Sequence, residues 1–154
     1  MKKAKLILAN YDASISKIAI KPKNNHTKVI ISTRMYNEET DRKETVKIVF
    51  SDVAVIDFQI NYFDSMIGVE VCGLFEIIDR KFIEQVVKDN FERRKEIYLF
   101  EDYYNYDEED EADLLNVLDV SGVFSREKDS YHAYIQNVDA GVYVIVAKEV
   151  QILR

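Results

Sequence analysis

The residue types that could carry covalent catalysis are few and lie far apart along the chain. Cys72 is the only cysteine, and His26 and His132 are the only histidines. A Cys72–His132 pair could in principle generate a thiolate nucleophile, because a neighbouring base activates a weak one. Cys72, however, stands between Val71 and Leu74 in an apolar strand pattern, where cysteine usually behaves as a small hydrophobe. We expect His132 to be a surface or packing residue and His26 a turn residue. We therefore predict no catalytic residue and no enzymatic activity.

The same scarcity argues against a metal or cofactor site. One cysteine and two distant histidines cannot fill a tetrahedral zinc set. The sequence has no phosphate-binding loop, no dinucleotide-binding glycine pattern and no HExxH pair. Acidic side chains between Asp102 and Asp113 offer the oxygen ligands that calcium prefers, but no glycine between Gly73 and Gly122 provides the sharp turn of an EF-hand loop. We predict no cofactor and no dedicated metal site.

One stretch combines residue types that suit the recognition of another protein. Residues 98–115 read YLFEDYYNYDEEDEADLL and contain eight carboxylates and four tyrosines. Tyrosine supplies a large, rather rigid contact surface with a polar tip, and carboxylates steer encounter with a basic surface. The sequence also fits a solvated acidic loop whose tyrosines cover the edge of the core. We predict that this acidic segment contacts a basic partner protein through Glu101, Asp102, Tyr103, Tyr104, Tyr106, Asp107, Glu108, Glu109, Asp110, Glu111 and Asp113.

Negative charge is concentrated in this part of the chain. Between Lys95 and Arg126 there are ten acidic residues and no basic one, and the whole chain carries a formal charge of -7. The remainder therefore carries -7 minus -10, or +3. Such a concentrated field attracts basic partners and repels nucleic acid. The lysines from Lys2 to Lys28 are scattered among few aromatic residues, so we expect no nucleic-acid partner.

Length and composition predict one globular domain, residues 1–154. The chain is 47% hydrophobic, and a chain of this size buries roughly 70% of its unfolded surface. No apolar run approaches the ~18 residues of a membrane-spanning helix, and the run after the first lysines is too short for a signal peptide. A single cysteine fits a reducing compartment. We expect a cytoplasmic protein without membrane contact.

Alternating apolar residues predict most of the elements. The patterns indicate strands at 27–36, 46–50, 54–62, 66–78, 131–138 and 142–153. A hairpin loop is expected at 37–43 and a break at Ser51-Asp52. Gly68 and Gly73 inside the fourth strand predict a bulge or strong bend. Gly141 supplies the positive φ that a three-residue hairpin needs.

Only one segment has a clear helical pattern. Apolar residues of Phe82–Phe91 fall on one side and charged residues on the other, with Asp79 as N-cap and the helix ending near Arg94. Residues 107–118 fit either a loop with a short helical turn, which we favour, or a loop followed by a strand. The predicted fold is α+β, mainly β: a bent antiparallel sheet or small sandwich with one long amphipathic helix.

Three stretches resemble a known group of proteins. VKIVFSDVAVIDF at 46–58, YHAYI at 131–135 and VYVIVAKEVQI at 142–152 are similar in strand pattern to small bacterial immunity-type proteins associated with polymorphic toxins. The resemblance implies a cytoplasmic protein that binds and neutralises a toxin made by the same cell. It assigns no individual functional residue.

Two other functions remain open from the sequence. A curled sheet backed by a helix can enclose a pocket, so a small-ligand or enzymatic site near Gly68, Cys72 and Gly73 is one alternative. The other is a self-associating structural subunit that uses the long C-terminal strand as a pairing edge, which leaves a homo-oligomer open.

Overall fold

The computed structural model describes residues 3–10, 12–23, 26–60, 70–98, 127–138 and 141–154. Within these ranges the chain forms seven strands and one α-helix. In chain order they are β1 (Ala4–Leu8), β2 (Ala13–Lys23), β3 (His26–Asn37), β4 (Arg42–Ile60), β5 (Glu70–Ile77), α1 (Arg80–Tyr98), β6 (His132–Val138) and β7 (Gly141–Leu153). A short 3-10 turn, Lys128–Ser130, precedes β6.

All seven strands pair antiparallel in one sheet, in the order β1-β5-β2-β3-β4-β7-β6. Because β5 also pairs with β6, the six strands from β2 to β7 form a closed ring. β1 lies on the same edge of β5 as β2, further along that strand. The predicted mainly β fold, with a bent antiparallel sheet and one helix, is confirmed, and the bending proceeds as far as closure.

Irregular pairing supplies the bends that closure requires. The register shifts at Ile15–Lys17 in β2, at Val53–Val55 in β4 and at Val71–Leu74 in β5. An extra residue on one strand bends that strand and increases its local twist. Gly73 lies inside the third shift, which confirms the bulge predicted for it. Gly68 lies outside the described residues.

The predicted break at Ser51-Asp52 is wrong, because β4 runs without interruption from Arg42 to Ile60. Asp52 has φ 52°, a left-handed conformation that aspartate tolerates better than most residues. The bend is therefore inside a strand and not a turn between strands. The predicted loop at 37–43 is confirmed in a shorter form, since β3 ends at Asn37 and β4 begins at Arg42.

The two N-terminal strands were not predicted from the sequence. In β2, Ile15 pairs with Thr33 and Ile18 pairs with Ile31, so both isoleucines share the inward face although they are three residues apart. The bulge at Ser16 breaks the period of two that identifies a half-buried strand. Lysines and Pro22 further weaken the strand pattern.

The interior of the ring is an apolar core. Its buried members come from β1 and from β3 to β7, and the largest fully buried side chains are Tyr143, Phe50, Ile31, Ile48 and Leu74. Phe50 packs against Tyr134 with ring centroids 5.4 Å apart and the ring planes tilted by 51°.

The helix covers part of the outer face of the ring. Ile83 and Val87 of α1 are buried against Val55, Ala133 and Val146. A carboxylate oxygen of Asp79 accepts a hydrogen bond from the Lys81 backbone N–H at 3.0 Å, which confirms the predicted N-cap. The apolar side of the helix is as predicted, while the helix extends four residues beyond the predicted end, to Tyr98.

Candidate functional site

The acidic segment predicted to bind a partner lies outside the described residues. Every side chain predicted for that contact, from Glu101 to Asp113, falls in the stretch 99–126, between α1 and the 3-10 turn. The structure does describe the two places where this stretch is attached to the folded sheet.

The N-terminal attachment is α1. Ile83 and Val87, in its first half, hold the helix on the ring, and in its second half the Arg93 guanidinium lies 3.6 Å from the Asp57 carboxylate of β4. Arg93 is largely exposed, so this ion pair contributes little to stability. It places Arg93, five residues before the end of α1, beside β4.

The C-terminal attachment is a small polar cluster around the 3-10 turn. The Lys148 ammonium of β7 lies 2.8 Å from the Glu127 carboxylate and 5.5 Å above the Tyr131 ring. The Arg80 guanidinium donates hydrogen bonds to the backbone carbonyls of Asp129 and Tyr131. The hydrogen bond to Glu127 raises the pKa of Lys148, and burial raises the pKa of Tyr131.

The two attachments lie at opposite ends of the helix. Arg80, which holds the C-terminal attachment, is the first residue of α1, and Tyr98 is its last. At 1.5 Å per residue the 19 residues of α1 span about 28 Å. A stretch with ten carboxylates and no basic side chain, counted from Glu96, therefore begins and ends at two fixed points of the scaffold.

Cys72 and His132 are not brought together. Cys72 is exposed at the β5 bulge, next to the buried Val71, and is not the buried small hydrophobe that its apolar neighbours suggested. In the pairing of β5 with β6, Ala133 stands opposite Ile77, and His132 lies one residue further on. Ile77 is five residues from Cys72 along β5, which is about 16 Å at the rise of a strand, so His132 lies at least that far from Cys72.

His132 instead pairs with a carboxylate at one end of the ring. Its Nδ1 atom lies 2.7 Å from Oε1 of Glu76 on β5, and its ring centroid lies 6.3 Å from that of Tyr134. Burial, with smaller effects of Glu76 and Glu149, raises the pKa of Tyr134 to about 12. The Tyr134 hydroxyl therefore stays protonated further into the alkaline range than that of an exposed tyrosine.

The second histidine also has a carboxylate partner. Nδ1 of His26, at the first position of β3, contacts Oδ1 of Asp52 in the bend of β4. The contact fastens the start of the β3 strand to that bend. His26 thus lies beside the turn between β2 and β3, close to where the sequence placed it.

A buried polar network inside the ring was missed by sequence reasoning. Gln136 of β6 donates from Nε2 to Asn10 Oδ1 at 2.9 Å and to the Cys72 carbonyl at 2.6 Å, and Tyr143 donates to Gln136 Oε1 at 2.6 Å. Asn10 and Gln136 are both fully buried. Among the described residues, the Asn10 Nδ2 group has no hydrogen-bond partner.

The structure also brings scattered cations together on one surface. Six exposed basic side chains occupy the outward positions of β2, β3 and β4, which we call the basic face: Lys17, Lys21, Lys28, Arg34, Lys43 and Lys47. The sequence separates them by up to 30 positions, so only the strand register could reveal the cluster.

Other features bear on the functions that the sequence left open. In the part of the chain that the structure describes, no three His, Cys, Asp or Glu side chains form a group that could hold a metal ion. Over the same residues, no helix is both long and apolar enough to cross a bilayer. β7 pairs with β4 along its whole length, but with β6 only from Gly141 to Ala147. The edge of β7 that faces away from β4 therefore has no strand partner over its last six residues, among the residues described.

Comparison with known proteins gave no match to a protein-family model, to a curated protein or to a solved structure.

Proposed function

We propose that this chain is a non-enzymatic binding domain that recognises a basic protein through its acidic segment, residues 101–113. The observation that carries the proposal is the charge distribution: ten carboxylates and no basic residue lie between Lys95 and Arg126, in a chain whose remainder carries +3. Charge complementarity of this kind accelerates encounter with a basic partner and discriminates against acidic ones.

The described scaffold supports this proposal in a second way. The stretch that contains the acidic segment is attached at both ends, by α1 and the Arg93–Asp57 pair on one side and by the Arg80 and Lys148 contacts on the other. Fixed ends reduce the conformational entropy that a segment loses when it binds. Tyr103, Tyr104 and Tyr106 would serve as anchors, since buried tyrosines are frequent hot spots of interfaces.

The finer proposal concerns the partner and the setting. Stretches 46–58, 131–135 and 142–152 resemble bacterial immunity-type proteins, which implies a toxin of the same cell as the partner and the cytoplasm as the place of action. A toxin that acts on nucleic acid generally presents a basic cleft, and carboxylates with tyrosine rings can imitate the phosphate charge and base stacking of its substrate. The acidic segment would then occupy the toxin's active site.

The pocket alternative has weaker support. The interior that would hold a ligand is occupied by Phe50, Tyr134, Leu74 and Tyr143, and Phe58 packs on Tyr143 with ring centroids 5.6 Å apart. Interiors packed in this way leave little room for a ligand-sized cavity. We therefore retain protein binding as the proposed function.

Affinity capture from lysate of the source cell, over a salt series, tests the proposal. The neutralised variant carries Asp107→Asn, Glu108→Gln, Glu109→Gln, Asp110→Asn and Glu111→Gln. A control variant changes five exposed acids of the described scaffold instead: Glu38→Gln, Glu39→Gln, Glu84→Gln, Glu92→Gln and Glu149→Gln. We expect wild type and control to recover one basic protein in a salt-sensitive manner, and the neutralised variant to lose it. Equal recovery by all three forms would contradict the proposal.

A further inference from the structure

The basic face has an unusual charge arrangement for a protein with a formal charge of -7. Lys21 of β2 stands directly opposite Lys28 of β3, and Lys17 and Lys47 flank the same β3 residue, Ser32, from the two neighbouring strands. Like charges directly opposite each other on paired strands are destabilising. Among the described residues, none of the six cations of the basic face forms an ion pair. The fold therefore bears a repulsion that an anionic ligand would relieve.

The cations are spaced like the charges of a polyanion contact surface. Neighbouring strands are about 4.8 Å apart and residues on one face recur about every 6.8 Å. Lys28 and Arg34, six residues apart on β3, are thus separated by about 20 Å, and Lys17 and Lys47, two strands apart, by about 10 Å. Carboxylates stand at its two ends, where Asp52 contacts His26, the outward β3 residue next to Lys28, and Asp41 accepts a hydrogen bond from Tyr36.

The same face carries apolar and aromatic surface. Ala19 and Ile30 pair between the rows of cations and are partly exposed. Tyr36, at the other end of β3, is 53% exposed, and its hydroxyl donates a hydrogen bond to Asp41. An exposed aromatic ring on a basic sheet surface is the arrangement on which unpaired bases stack.

Two features favour a single-stranded nucleic acid over other polyanions. Five of the six cations are lysines, which act as point charges and accept a phosphate in many positions, and the exposed Tyr36 ring offers a stacking face that a base uses and a carboxylate does not. The surface is the face of a sheet, from which no element of the described residues projects into the grooves of a duplex. An acidic protein or a duplex would therefore fit this face less well.

We propose that the basic face of β2, β3 and β4 is a binding site for single-stranded nucleic acid, with Lys21, Lys28 and Lys47 neutralising phosphates and Tyr36 stacking on a base. The site departs from the expectation of no nucleic-acid partner because the strand register collects lysines that look scattered in the sequence. It uses none of the residues of the acidic segment, so either proposal can fail without the other.

Fluorescence anisotropy with a labelled oligothymidylate, measured over a salt series, tests this site. The test variant carries Lys21→Gln, Lys28→Gln and Lys47→Gln. The control variant carries Lys5→Gln, Lys81→Gln and Lys88→Gln, three exposed lysines away from the basic face that give the same change in net charge. Thermal unfolding of both variants shows whether they fold like wild type.

We expect wild type to bind with the affinity of a non-specific site, on the order of 10 μM near physiological salt. The test variant should bind about tenfold more weakly, and its plot of log affinity against log salt should be shallower by about 2, since each lost phosphate contact removes ~0.7 from the slope on a single strand. The control should retain the wild-type slope. Tyr36→Leu should weaken binding at least about fivefold with the salt slope unchanged, because stacking is lost and charge is not.

Three results would overturn the proposal. The first is an equal loss of affinity in the test and control variants, which would mean that net charge alone matters. The second is displacement of the oligonucleotide by poly-glutamate as readily as by unlabelled oligonucleotide, which would assign the face to an acidic protein. The third is tighter binding of a duplex of the same length.

Discussion

Gln136 joins three parts of the chain from inside the closed ring. Its side chain hydrogen-bonds the Asn10 side chain, the Cys72 carbonyl in the β5 bulge and the Tyr143 hydroxyl of β7. In a buried site a polar group is stabilising only while its partners are present, so the members of this network depend on one another. Burial raises the pKa of Tyr143, which keeps its hydroxyl protonated as a donor to Gln136.

Replacing Gln136 with an apolar residue should therefore destabilise the protein, although Gln136 is buried in an otherwise apolar interior. We expect Gln136→Leu to lower the free energy of unfolding by about 3 kcal/mol, because the Tyr143 hydroxyl, Asn10 Oδ1 and the Cys72 carbonyl lose a buried partner together. Equilibrium urea unfolding measures the change. Gln151→Leu, at an exposed position of β7, is the matched control and should stay within about 0.5 kcal/mol of wild type. Equal effects of the two substitutions would contradict the role of the network.

The raised pKa of Tyr134 leads us to expect that the stability of the fold decreases at alkaline pH. Its pKa is about 12 in the folded chain and about 10 in the unfolded one, so between these values the folded state holds one more proton. Its contribution is complete below pH ~10 and is lost as the pH rises toward ~12. Urea unfolding at a series of pH values should show a free energy of unfolding that falls with pH. Tyr134→Phe should make that fall shallower by about 1.4 kcal/mol per pH unit, whereas an unchanged slope would show that Tyr134 titrates normally.

At the scale of elements, the pairing of β4 with β7 requires a glycine at position 141. Gly141 begins β7 with φ +149° and packs so closely on β4 that an added Cβ would overlap the Gln59 carbonyl oxygen. The positive φ predicted for Gly141 is confirmed, but the residue is the first of β7, paired with Val138, and not the third residue of a turn.

Gly141→Ala should separate these strands. We expect a loss of about 3 kcal/mol or more in the free energy of unfolding, because both the backbone conformation and the contact exclude a Cβ. Chemical denaturation measures it. The double variant Gly141→Ala, Gln59→Ala should be no more stable than Gly141→Ala, since the overlap is with the Gln59 backbone. A rescue by Gln59→Ala would show that the side chain causes the conflict.

The elements that sequence reasoning recovered are those with an unbroken period. β3, β6, β7 and α1 each repeat one spacing throughout, and their bounds fall within a few residues of the predicted ones. The failures coincide with bulges: Ser16 conceals β2, and the left-handed Asp52 divides one long strand into two apparent ones. A bulge changes the face of all later side chains, so a fixed period cannot follow the chain across it.

At the scale of the whole molecule, the negative and the positive charges are distributed in different ways. The acidic segment is contiguous in sequence, so its composition is evident without a structure. The basic face is assembled from three strands, and Lys17 and Lys47 become neighbours only through the β2–β3–β4 register. A charge count along the chain therefore reveals the acidic segment and cannot reveal the basic face.

The association rate of the captured basic partner, measured against ionic strength for wild type, neutralised variant and scaffold control, tests the central claim most directly. Electrostatic steering by the acidic segment predicts a wild-type rate constant that falls steeply with salt, a control that follows it, and a neutralised variant that is at least about tenfold slower at low salt with a much weaker salt dependence. Identical rate constants and salt dependences for all three proteins would contradict the claim that the acidic segment is a recognition surface.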